Sequence, residues 1–193
     1  MFKKKLLIID NYDSFTYNLV QLVELCGFTD YDVKKNDEIS KEEADNYNMF
    51  LFSPGPGLPS EAGIMCELIK YYSGKKKMLG ICLGHQAIAE CFGANLINME
   101  EIAHGAASVV YLTEDKDYIF KKVPELFIAG RYHSWIVSNE DFPKELLITA
   151  IDEDENIMAI KHQTFDIHGV QFHPESYITE DGQRIISNFL SKL

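Results

Sequence analysis

The chain has 193 residues, of which 46% are hydrophobic, which is enough for one well-buried core and too little for two comfortable domains. Its 30 acidic residues outnumber the 18 basic ones, and the formal net charge is −12 at pH 7. Such a surface repels phosphate backbones and anionic lipid headgroups, so the composition argues against nucleic acid and membranes as partners. We expect a single domain over residues 1–193.

The N-terminus and the cysteines indicate the compartment. The basic start at residues 1–5 is followed by only four apolar residues before Asp10, which is too short a run for a signal peptide. No later stretch approaches the roughly 18 apolar residues of a membrane span. The cysteines form no Cys-x-x-Cys pair, which is typical of the reducing cytoplasm, and at least one should be a free thiol. They are Cys26, Cys66, Cys82 and Cys91.

Apolar periodicity in the first half of the chain predicts strands that alternate with helices. Strand-length apolar runs cover residues 6–9, 48–52 and 78–82, and helical periodicity covers residues 14–26 and 61–72. This alternation predicts an α/β fold with an open, mostly parallel central sheet flanked by helices.

The pattern changes after Gly93 to shorter β-rich segments, from which we expect a smaller mixed or antiparallel extension of the same domain. The acidic run at residues 152–155 is interpreted as a solvated turn between two of these strands. A closing helix is predicted from about residue 179. The β-rich segments cover residues 108–112, 146–151, 157–161 and 167–172.

The predicted strand at residues 78–82 leads into a helical stretch through the sequence Gly80-Ile81-Cys82-Leu83-Gly84. This is the nucleophile-elbow pattern, with cysteine in place of serine. The two glycines permit a tight turn that holds the residue at its apex in a strained conformation. The helix start favours a thiolate, which is the species needed for acyl transfer. Cys82 is therefore the predicted nucleophile rather than a core cysteine, and the other three cysteines are assigned to packing.

A second segment, His173-Pro174-Glu175, follows a β-patterned run. Pro174 favours extended geometry at His173, and side chains two residues apart then point to the same side. We interpret His173 as the base that takes the thiol proton and Glu175 as the carboxylate that orients the imidazole. A histidine beside a strand is more often a structural residue, and the Cys82 elbow is what reverses that balance.

The segment at residues 53–60 reads Ser-Pro-Gly-Pro-Gly-Leu-Pro-Ser and follows a predicted strand. It lacks the Gly-Lys-Ser/Thr ending of a phosphate loop and the third glycine of a dinucleotide fingerprint. Its backbone N–H groups can instead serve an oxyanion, with Gly57 and Leu83 as the predicted donors. The alternative is a rigid turn only.

Three motifs, at residues 54–57, 80–86 and 172–176, together resemble those of the class I, triad-type glutamine amidotransferases. Residues 10–18 and the Arg-Tyr-His-Ser sequence at 131–134 narrow the resemblance to component II of anthranilate synthase and its relative in para-aminobenzoate (aminodeoxychorismate) synthesis. The resemblance extends over essentially the whole chain.

The resemblance implies that Cys82, His173 and Glu175 hydrolyse L-glutamine and that the ammonia passes to a separate synthase chain. That partner would be component I of anthranilate synthase or of aminodeoxychorismate synthase, which binds chorismate with magnesium. No cofactor is expected in this chain. The residues implied to hold glutamine are Gly55, Pro56, Gly57, Leu83, Gln86, Ser134 and, through its backbone, Trp135.

Two features allow different interpretations. In that family residues 13–17 lie near the partner, whereas the sequence by itself predicts an Asp or Ser helix cap followed by aromatic core packing. In the segment His104-Gly105-Ala106-Ala107-Ser108, Ala106 stands where many relatives carry a lysine, which puts any role of that lysine in doubt. The remaining histidines show no metal-ligand spacing, so no metal is predicted in this chain. They are His85, His104, His133, His162 and His168.

We expect anthranilate synthesis, with aminodeoxychorismate synthesis as the alternative, because one such chain can serve either synthase. The rival functions are a stand-alone hydrolase of γ-glutamyl compounds and a catalytically silent regulatory subunit. The intact triad argues against a catalytically silent subunit. The aromatic segment at residues 11–17 argues against a stand-alone hydrolase. We also predict weak glutaminase activity alone and stronger activity with the partner.

Overall fold

A computed structural model describes residues 5–191 of the chain, with the backbone alone for residues 100–104. Residues 1–4, the basic start considered above as a signal peptide, lie outside the described residues. The strands are β1 (Leu6–Asp10), β2 (Tyr31–Lys35), β3 (Met49–Phe52), β4 (Lys77–Ile81), β5 (Leu96–Leu112), β6 (Leu126–Val137), β7 (Leu146–Ile151), β8 (Ile157–His162) and β9 (Ile167–Val170). The α-helices are α1 (Thr16–Leu25), α2 (Lys41–Ala44), α3 (Met65–Tyr72), α4 (Leu83–Cys91) and α5 (Gly182–Ser191), and 3-10 turns occur at Pro59–Glu61 and Tyr118–Phe120.

The nine strands form one sheet in the order β2-β1-β3-β4-β9-β8-β7-β5-β6. The strands from β2 to β9 in that order pair in parallel. The strands from β9 to β6 pair antiparallel. The predicted α/β fold, with a large central sheet and an antiparallel extension, is therefore confirmed. The extension is larger than expected, since the parallel and antiparallel pairings are equal in number.

Helices cover both faces of the parallel half, because the apolar residues of its strands point alternately to each face. On one face Leu6 and Ile8 of β1 pack with α1 and α5. On the other face Leu7 and Ile9 pack with α3 and α4. The strands β1, β3 and β4 are buried almost throughout, which is why they read as continuous apolar runs in the sequence.

Two strands were not predicted. The edge strand β2 reads Tyr-Asp-Val-Lys-Lys and is only half-buried, so it lacks an apolar run. The other edge strand, β6, contains Gly130 and Arg131 in its middle and pairs only with β5. Long-range pairing fixes both strands, and short-range periodicity carries no signal for that pairing.

Three predicted helices begin later than expected, and the first of them begins at Thr16 rather than at residue 14. The helix predicted from residue 61 begins at Met65, because Pro59–Glu61 form a separate 3-10 turn. The closing helix begins at Gly182. A Cβ atom at Gly182 would overlap the carbonyl of Pro174, so only glycine allows the helix to start against the Pro174 backbone.

The interpretation of residues 152–155 as a solvated turn was wrong for its first residue. The segment does connect β7 and β8, but Asp152 is buried and its carboxylate lies 2.6 Å from Nη1 of Arg131. Glu153, Asp154 and Glu155 are exposed. A buried carboxylate needs a charged or hydrogen-bonding partner, and here the partner comes from β6, which the sequence pattern did not reveal.

Candidate active site

Cys82 occupies the tight turn between β4 and α4. Its φ of 49° and ψ of −100° lie outside the regions that most L-residues adopt, and its side chain is buried. Gly84 makes the turn possible, since a Cβ atom there would lie 2.7 Å from both Cβ and the carbonyl oxygen of Phe52. Gly80 likewise faces the backbone of Gly84 with no space for a Cβ atom. The geometry is that of the predicted elbow.

His173 follows the carboxyl end of β9 and is hydrogen-bonded to β6. Its backbone N–H donates to the carbonyl of Gly130 at 2.9 Å. Thr179 completes the connection, because its hydroxyl donates to the His173 carbonyl at 2.7 Å and accepts from the Gly130 N–H at 3.0 Å. Sequence reasoning missed both Gly130 and Thr179, since neither carries a functional group with catalytic chemistry.

The imidazole of His173 is paired with Glu175 as predicted. Nδ1 lies 2.7 Å from Oε1 of Glu175, and the two side chains are 3% and 0% exposed. The bond fixes the ring so that Nδ1 faces the carboxylate and Nε2 remains for other partners. Nε2 is buried, and the side chain of Cys82 is the other group that interacts with the ring.

The surroundings favour a protonated imidazole. Burial by itself would lower the pKa of His173, but the thiol of Cys82 and the carboxylate of Glu175 outweigh it and raise the pKa to about 10. These two neighbours therefore favour the protonated form of the ring. That proton is available to a departing amine, which is what a general acid requires.

Two aromatic rings enclose the imidazole. Tyr132 lies edge-on at 5.0 Å between ring centroids, and Phe15 lies at 6.1 Å. The two rings also contact each other at 5.4 Å. Asp13 is close by; burial raises its pKa, and the positive charge of His173 acts in the opposite direction. The segment predicted either as a helix cap or as a partner contact thus reaches His173.

The same segment leads into α1 without a side-chain cap. The carboxylate of Asp13 accepts from the N–H of Phe15 at 2.7 Å, but Phe15 is itself the N-cap residue and no side chain caps the helix. The expectation of an Asp or Ser cap was therefore wrong, whereas the expected aromatic packing is present at Phe15. The packing target, a histidine more than 150 positions away in the sequence, could not be foreseen from local pattern.

The loop after β3 lies against the start of α4. A Cβ atom at Gly55 would lie 2.6 Å from Cβ of Asn11 and 2.8 Å from Cδ2 of Leu83, so the loop approaches as closely as glycine allows. Gly57 adopts a φ of +74°, and both Pro56 and Gly57 are exposed. The structure thus brings the two predicted oxyanion segments together at one end of the sheet.

Asn11 fixes this loop, and sequence reasoning gave it no structural role. It is buried, its N–H donates to Oγ of Ser53 at 2.9 Å, and its side-chain amide donates to the Ser53 carbonyl at 2.8 Å. Asn36 in turn donates to its Oδ1 at 3.0 Å. A buried amide with this many partners positions the loop rigidly.

Gln86 is placed inside the site rather than at its surface. Its Nε2 donates to the carbonyl of Trp135 at 2.8 Å and to Oε1 of Gln171 at 3.1 Å. Gln171, which sequence reasoning missed, has its own Nε2 3.6 Å from Sγ of Cys82. The available signal was proximity in the sequence, since Gln171 lies two residues before His173.

Ser134 and Trp135 lie in β6 and are half-buried. A charged cluster just before them fixes this part of the strand, because Arg131 donates through Nε to Nε2 of His133 at 3.1 Å as well as to Asp152. Burial and the nearby Arg131 lower the pKa of His133 to about 3. His133 is therefore neutral and acts as an acceptor.

The other positions singled out in the sequence lie elsewhere. Ala106 is exposed in β5, opposite Arg131, and the side chain of His104 lies outside the described residues. His85 is fully buried, and burial lowers its pKa to about 3. His162 stacks on Phe165, with ring centroids 4.2 Å apart.

The three remaining cysteines are half-buried and bond to backbone carbonyls. Cys26 contacts Gln183, Cys66 contacts Pro59, and Cys91 contacts Cys66. Burial raises the pKa of Cys26, and hydrogen bonding to Cys66 raises that of Cys91. Their environment is that of packing residues.

Within the described residues, no three His, Cys, Asp or Glu side chains are grouped so that they could hold a metal ion. None of the helices in the described part of the chain is both long and apolar enough to cross a bilayer.

Comparison with known proteins agrees with this geometry. The family model for class I glutamine amidotransferases matches residues 7–193. Anthranilate synthase component 2 of Pyropia yezoensis is 46% identical over 188 residues, which cover 96% of this chain and 98% of that protein. Aminodeoxychorismate/anthranilate synthase component 2 of Bacillus subtilis is 43% identical over 187 residues, covering 96% and 95%.

A longer relative and a solved structure are also similar. The bifunctional protein TrpGD of Thermotoga maritima is 43% identical over 191 residues, but this chain, 97% of which is covered, spans only 32% of it. The crystal structure of a Thermoplasma acidophilum protein assigned to GMP synthase superposes with a TM-score of 0.87 at 24% identity, covering 98% of this chain and 94% of that one. This last similarity shows the fold alone.

Proposed function

Because this chain belongs to the class I glutamine amidotransferase family, we propose that it is the glutamine-hydrolysing subunit of a chorismate-using synthase. The observation that carries the proposal is the arrangement around Cys82. A cysteine at positive φ on a strand-to-helix turn lies beside an imidazole that is paired with a buried carboxylate. Glutamine hydrolysis through a covalent thioester needs these three groups.

In the proposed first half-reaction the thiolate of Cys82 attacks the side-chain amide carbon of glutamine. A C–S bond forms and the carbonyl oxygen becomes an oxyanion, for which the N–H groups of Gly57 and Leu83 are the proposed donors. The C–N bond then breaks as His173 gives its proton to the nitrogen. Ammonia leaves, and a γ-glutamyl thioester remains on Cys82.

In the second half-reaction His173, now neutral, takes a proton from water, and the hydroxide attacks the thioester carbon. The C–S bond breaks, glutamate leaves and the resting pair is restored. Glu175 stabilises the charged imidazolium in both steps, since its carboxylate faces Nδ1 throughout.

Glutamine is proposed to bind between the loop after β3 and β6. Gly55, Pro56 and Gly57 form one side, and Ser134 with the backbone of Trp135 forms the other. Leu83 and Gln86 lie between these two sides, at the start of α4. The close packing of Gly55 on Leu83 supports this placement.

A partner surface lies next to the triad. A groove of about 430 Å³ is lined by residues of α1, by Tyr132 and by the segment from Pro174 to Gln183. The aromatic side chains of Tyr17 and Tyr177 beside it are 70% and 91% exposed. Exposed aromatic residues of this kind are enriched at interfaces, so we propose that the synthase subunit docks here.

The proposed partner is component I of anthranilate synthase, since the Pyropia yezoensis relative carries that name. Component I of aminodeoxychorismate synthase is the second candidate, because the Bacillus subtilis relative is named for both synthases. Chorismate and magnesium would bind to the partner chain. We propose that both chains act in the cytoplasm, where glutamine and a reduced Cys82 thiol are available.

The test is reconstitution. The chain is mixed with glutamine, chorismate, magnesium and each of the two synthase chains in turn, and anthranilate or aminodeoxychorismate is measured. We expect glutamine-dependent product with at least one partner, none with Cys82→Ala, and normal product with Cys26→Ala as the matched control. Free glutamine hydrolysis that persists with neither product forming would contradict the proposal and would favour a stand-alone hydrolase.

A further inference from the structure

The amide group of Gln171 lies against the sulfur of the nucleophile. Its side chain is 0% exposed, and its Nε2 is 3.6 Å from Sγ of Cys82. This distance is within hydrogen-bond range for a sulfur acceptor, whose radius exceeds that of oxygen. A buried amide N–H directed at a sulfur stabilises the thiolate more than the neutral thiol, because it interacts with the negative charge.

The orientation of this amide is set by its neighbour. Oε1 of Gln171 accepts from Nε2 of Gln86 at 3.1 Å. Nε2 of Gln86 is itself held as a donor by the carbonyl of Trp135 at 2.8 Å. Since a carbonyl can only accept, Gln86 must present N–H to both partners, and Gln171 must then turn its own NH₂ toward Cys82. The donor and acceptor of each hydrogen bond from Trp135 through Gln86 and Gln171 to Cys82 are thereby determined.

The backbone of Gln171 is equally fixed. Its N–H donates to the carbonyl of Met158 in β8 at 2.8 Å. It is two residues from His173, so both residues lie in the same short segment after β9. The residue is therefore held from the antiparallel half of the sheet on one side and from α4 on the other.

We propose that Gln171 is a further catalytic residue, whose side-chain amide stabilises the Cys82 thiolate and connects it through Gln86 to Trp135 in the glutamine site. The inference rests on the proposed function and assigns a role in that same reaction. A substrate that moves the Trp135 backbone will shift Gln86 and hence the amide at the sulfur. The bond then responds to occupancy of the glutamine site.

The experiment measures the rate at which iodoacetamide alkylates Cys82 as a function of pH, read on the Cys82 peptide by mass spectrometry. Gln171→Met keeps the length of the side chain and removes the donor. We expect the half-maximal pH of alkylation to move up by about one unit, since a hydrogen bond to a charged group contributes on that order. Glutaminase kcat should fall about tenfold with a smaller change in KM.

Two further variants keep the test decisive. Gln171→Glu places a carboxylate at the sulfur and should shift the alkylation profile further upward. Gln86→Met leaves Gln171 in place but frees its amide to rotate, and should give a smaller shift. Gln163→Met, on the exposed connection after β8, is the matched control and should alkylate like the wild type.

An alkylation profile in Gln171→Met and Gln171→Glu that coincides with the wild type would overturn the inference. That result is distinct from failure of the proposed function. If the function is wrong, wild-type chain with its synthase will not use glutamine, or Cys82→Ala will retain that use. If only the inference is wrong, wild type will be active, Cys82→Ala inactive, and the Gln171 variants unshifted.

Discussion

The guanidinium of Arg131 and the carboxylate of Asp152 form a buried ion pair, 2.6 Å between Nη1 and Oδ2, that joins β6 to the turn after β7. Their side chains are 7% and 3% exposed. The carboxylate also accepts from the backbone and side chain of Asn156, and the guanidinium donates to His133. This pair fixes the part of β6 that precedes Ser134, on the side of the proposed glutamine site.

The first prediction is that Arg131→Met destabilises the fold by about 3–5 kcal/mol, because a buried carboxylate loses its charged partner. The free energy of unfolding, measured with urea, gives the magnitude. The double variant Arg131→Met/Asp152→Leu should recover much of the loss, since it leaves no unpaired charge.

An exposed ion pair is the control for this experiment. Lys116 and Glu125 lie 3.4 Å apart with side chains 65% and 86% exposed. Replacing either by alanine should change the free energy of unfolding by less than about 1 kcal/mol. Equal effects at the two pairs would show that burial of Asp152 has no energetic consequence.

A second prediction concerns His168, which lies between two carboxylates. Nδ1 is 2.8 Å from Asp117 and Nε2 is 2.7 Å from Asp166. Burial lowers the pKa of His168, but the two carboxylates outweigh it and raise the pKa above its ordinary value of 6.5. The charged ring therefore stabilises the fold fully below pH 6.5, and the contribution is lost as the pH rises through the raised value.

The comparison of wild type with His168→Asn isolates this contribution. We expect the variant to be less stable by about 2 kcal/mol at pH 6, since bonds to charged groups are lost. The difference between the two proteins should shrink as the pH rises above 6.5 through the raised pKa of His168. Urea unfolding at several pH values measures it, and a difference that grows with pH would have the wrong sign for a raised pKa.

The third prediction tests the carboxylate of the triad. Glu175→Gln removes a charge that helps to raise the pKa of His173 to about 10, so the pKa of the imidazole should fall. The imidazolium then loses its proton at lower pH, and the alkaline limb of the kcat profile should move down. At neutral pH we expect kcat to fall about a hundredfold, the lower end of what general acid–base catalysis contributes.

A pH profile of glutaminase activity with the synthase present measures both effects. Glu114→Gln serves as the matched control, because this carboxylate is exposed in the turn after β5 and lies outside the proposed docking groove. If Glu175→Gln kept the wild-type alkaline limb, Glu175 would have no electrostatic influence on His173.

The fourth prediction concerns the aromatic enclosure of the imidazole. Phe15→Leu removes a ring that contacts both Tyr132 and His173. An aromatic contact of this kind contributes about 0.5–1.5 kcal/mol, so kcat should fall about two- to tenfold while the fold is retained. Steady-state kinetics together with a thermal melt distinguishes a loss of activity from a loss of stability. Phe165→Leu, which stacks on His162 far from Cys82, should leave kcat unchanged.

The parts of the structure that could be predicted from sequence are those with local signals. Runs of consecutive apolar residues predicted the positions of β1, β3 and β4. Strands that are buried on both faces carry apolar side chains at almost every position. The tight turn at Cys82 was predictable because it needs small residues on both sides of its apex. The pairing of Glu175 with His173 was predictable because the two residues are only two positions apart.

The parts that could not be predicted depend on pairing between distant segments. Strand β6 was missed because its interior holds polar residues whose partners, Asp152 and Thr179, lie more than 20 and 40 positions away. The contact of Gln171 with Cys82 was missed because a glutamine after an apolar strand is commonplace, and its bond to Gln86 of α4 depends on long-range packing. The lysine that many relatives carry has no counterpart at Ala106, whose side chain is exposed.

The central claim is that Cys82 attacks the side-chain amide carbon of glutamine. The most direct measurement is labelling with a glutamine analogue that carries an electrophilic diazoketone in place of the amide, followed by peptide mapping and assay of the remaining glutaminase activity. The account predicts one equivalent of label on Cys82, protection by glutamine, and loss of activity in proportion to labelling. Label confined to other residues, with activity intact, would contradict it.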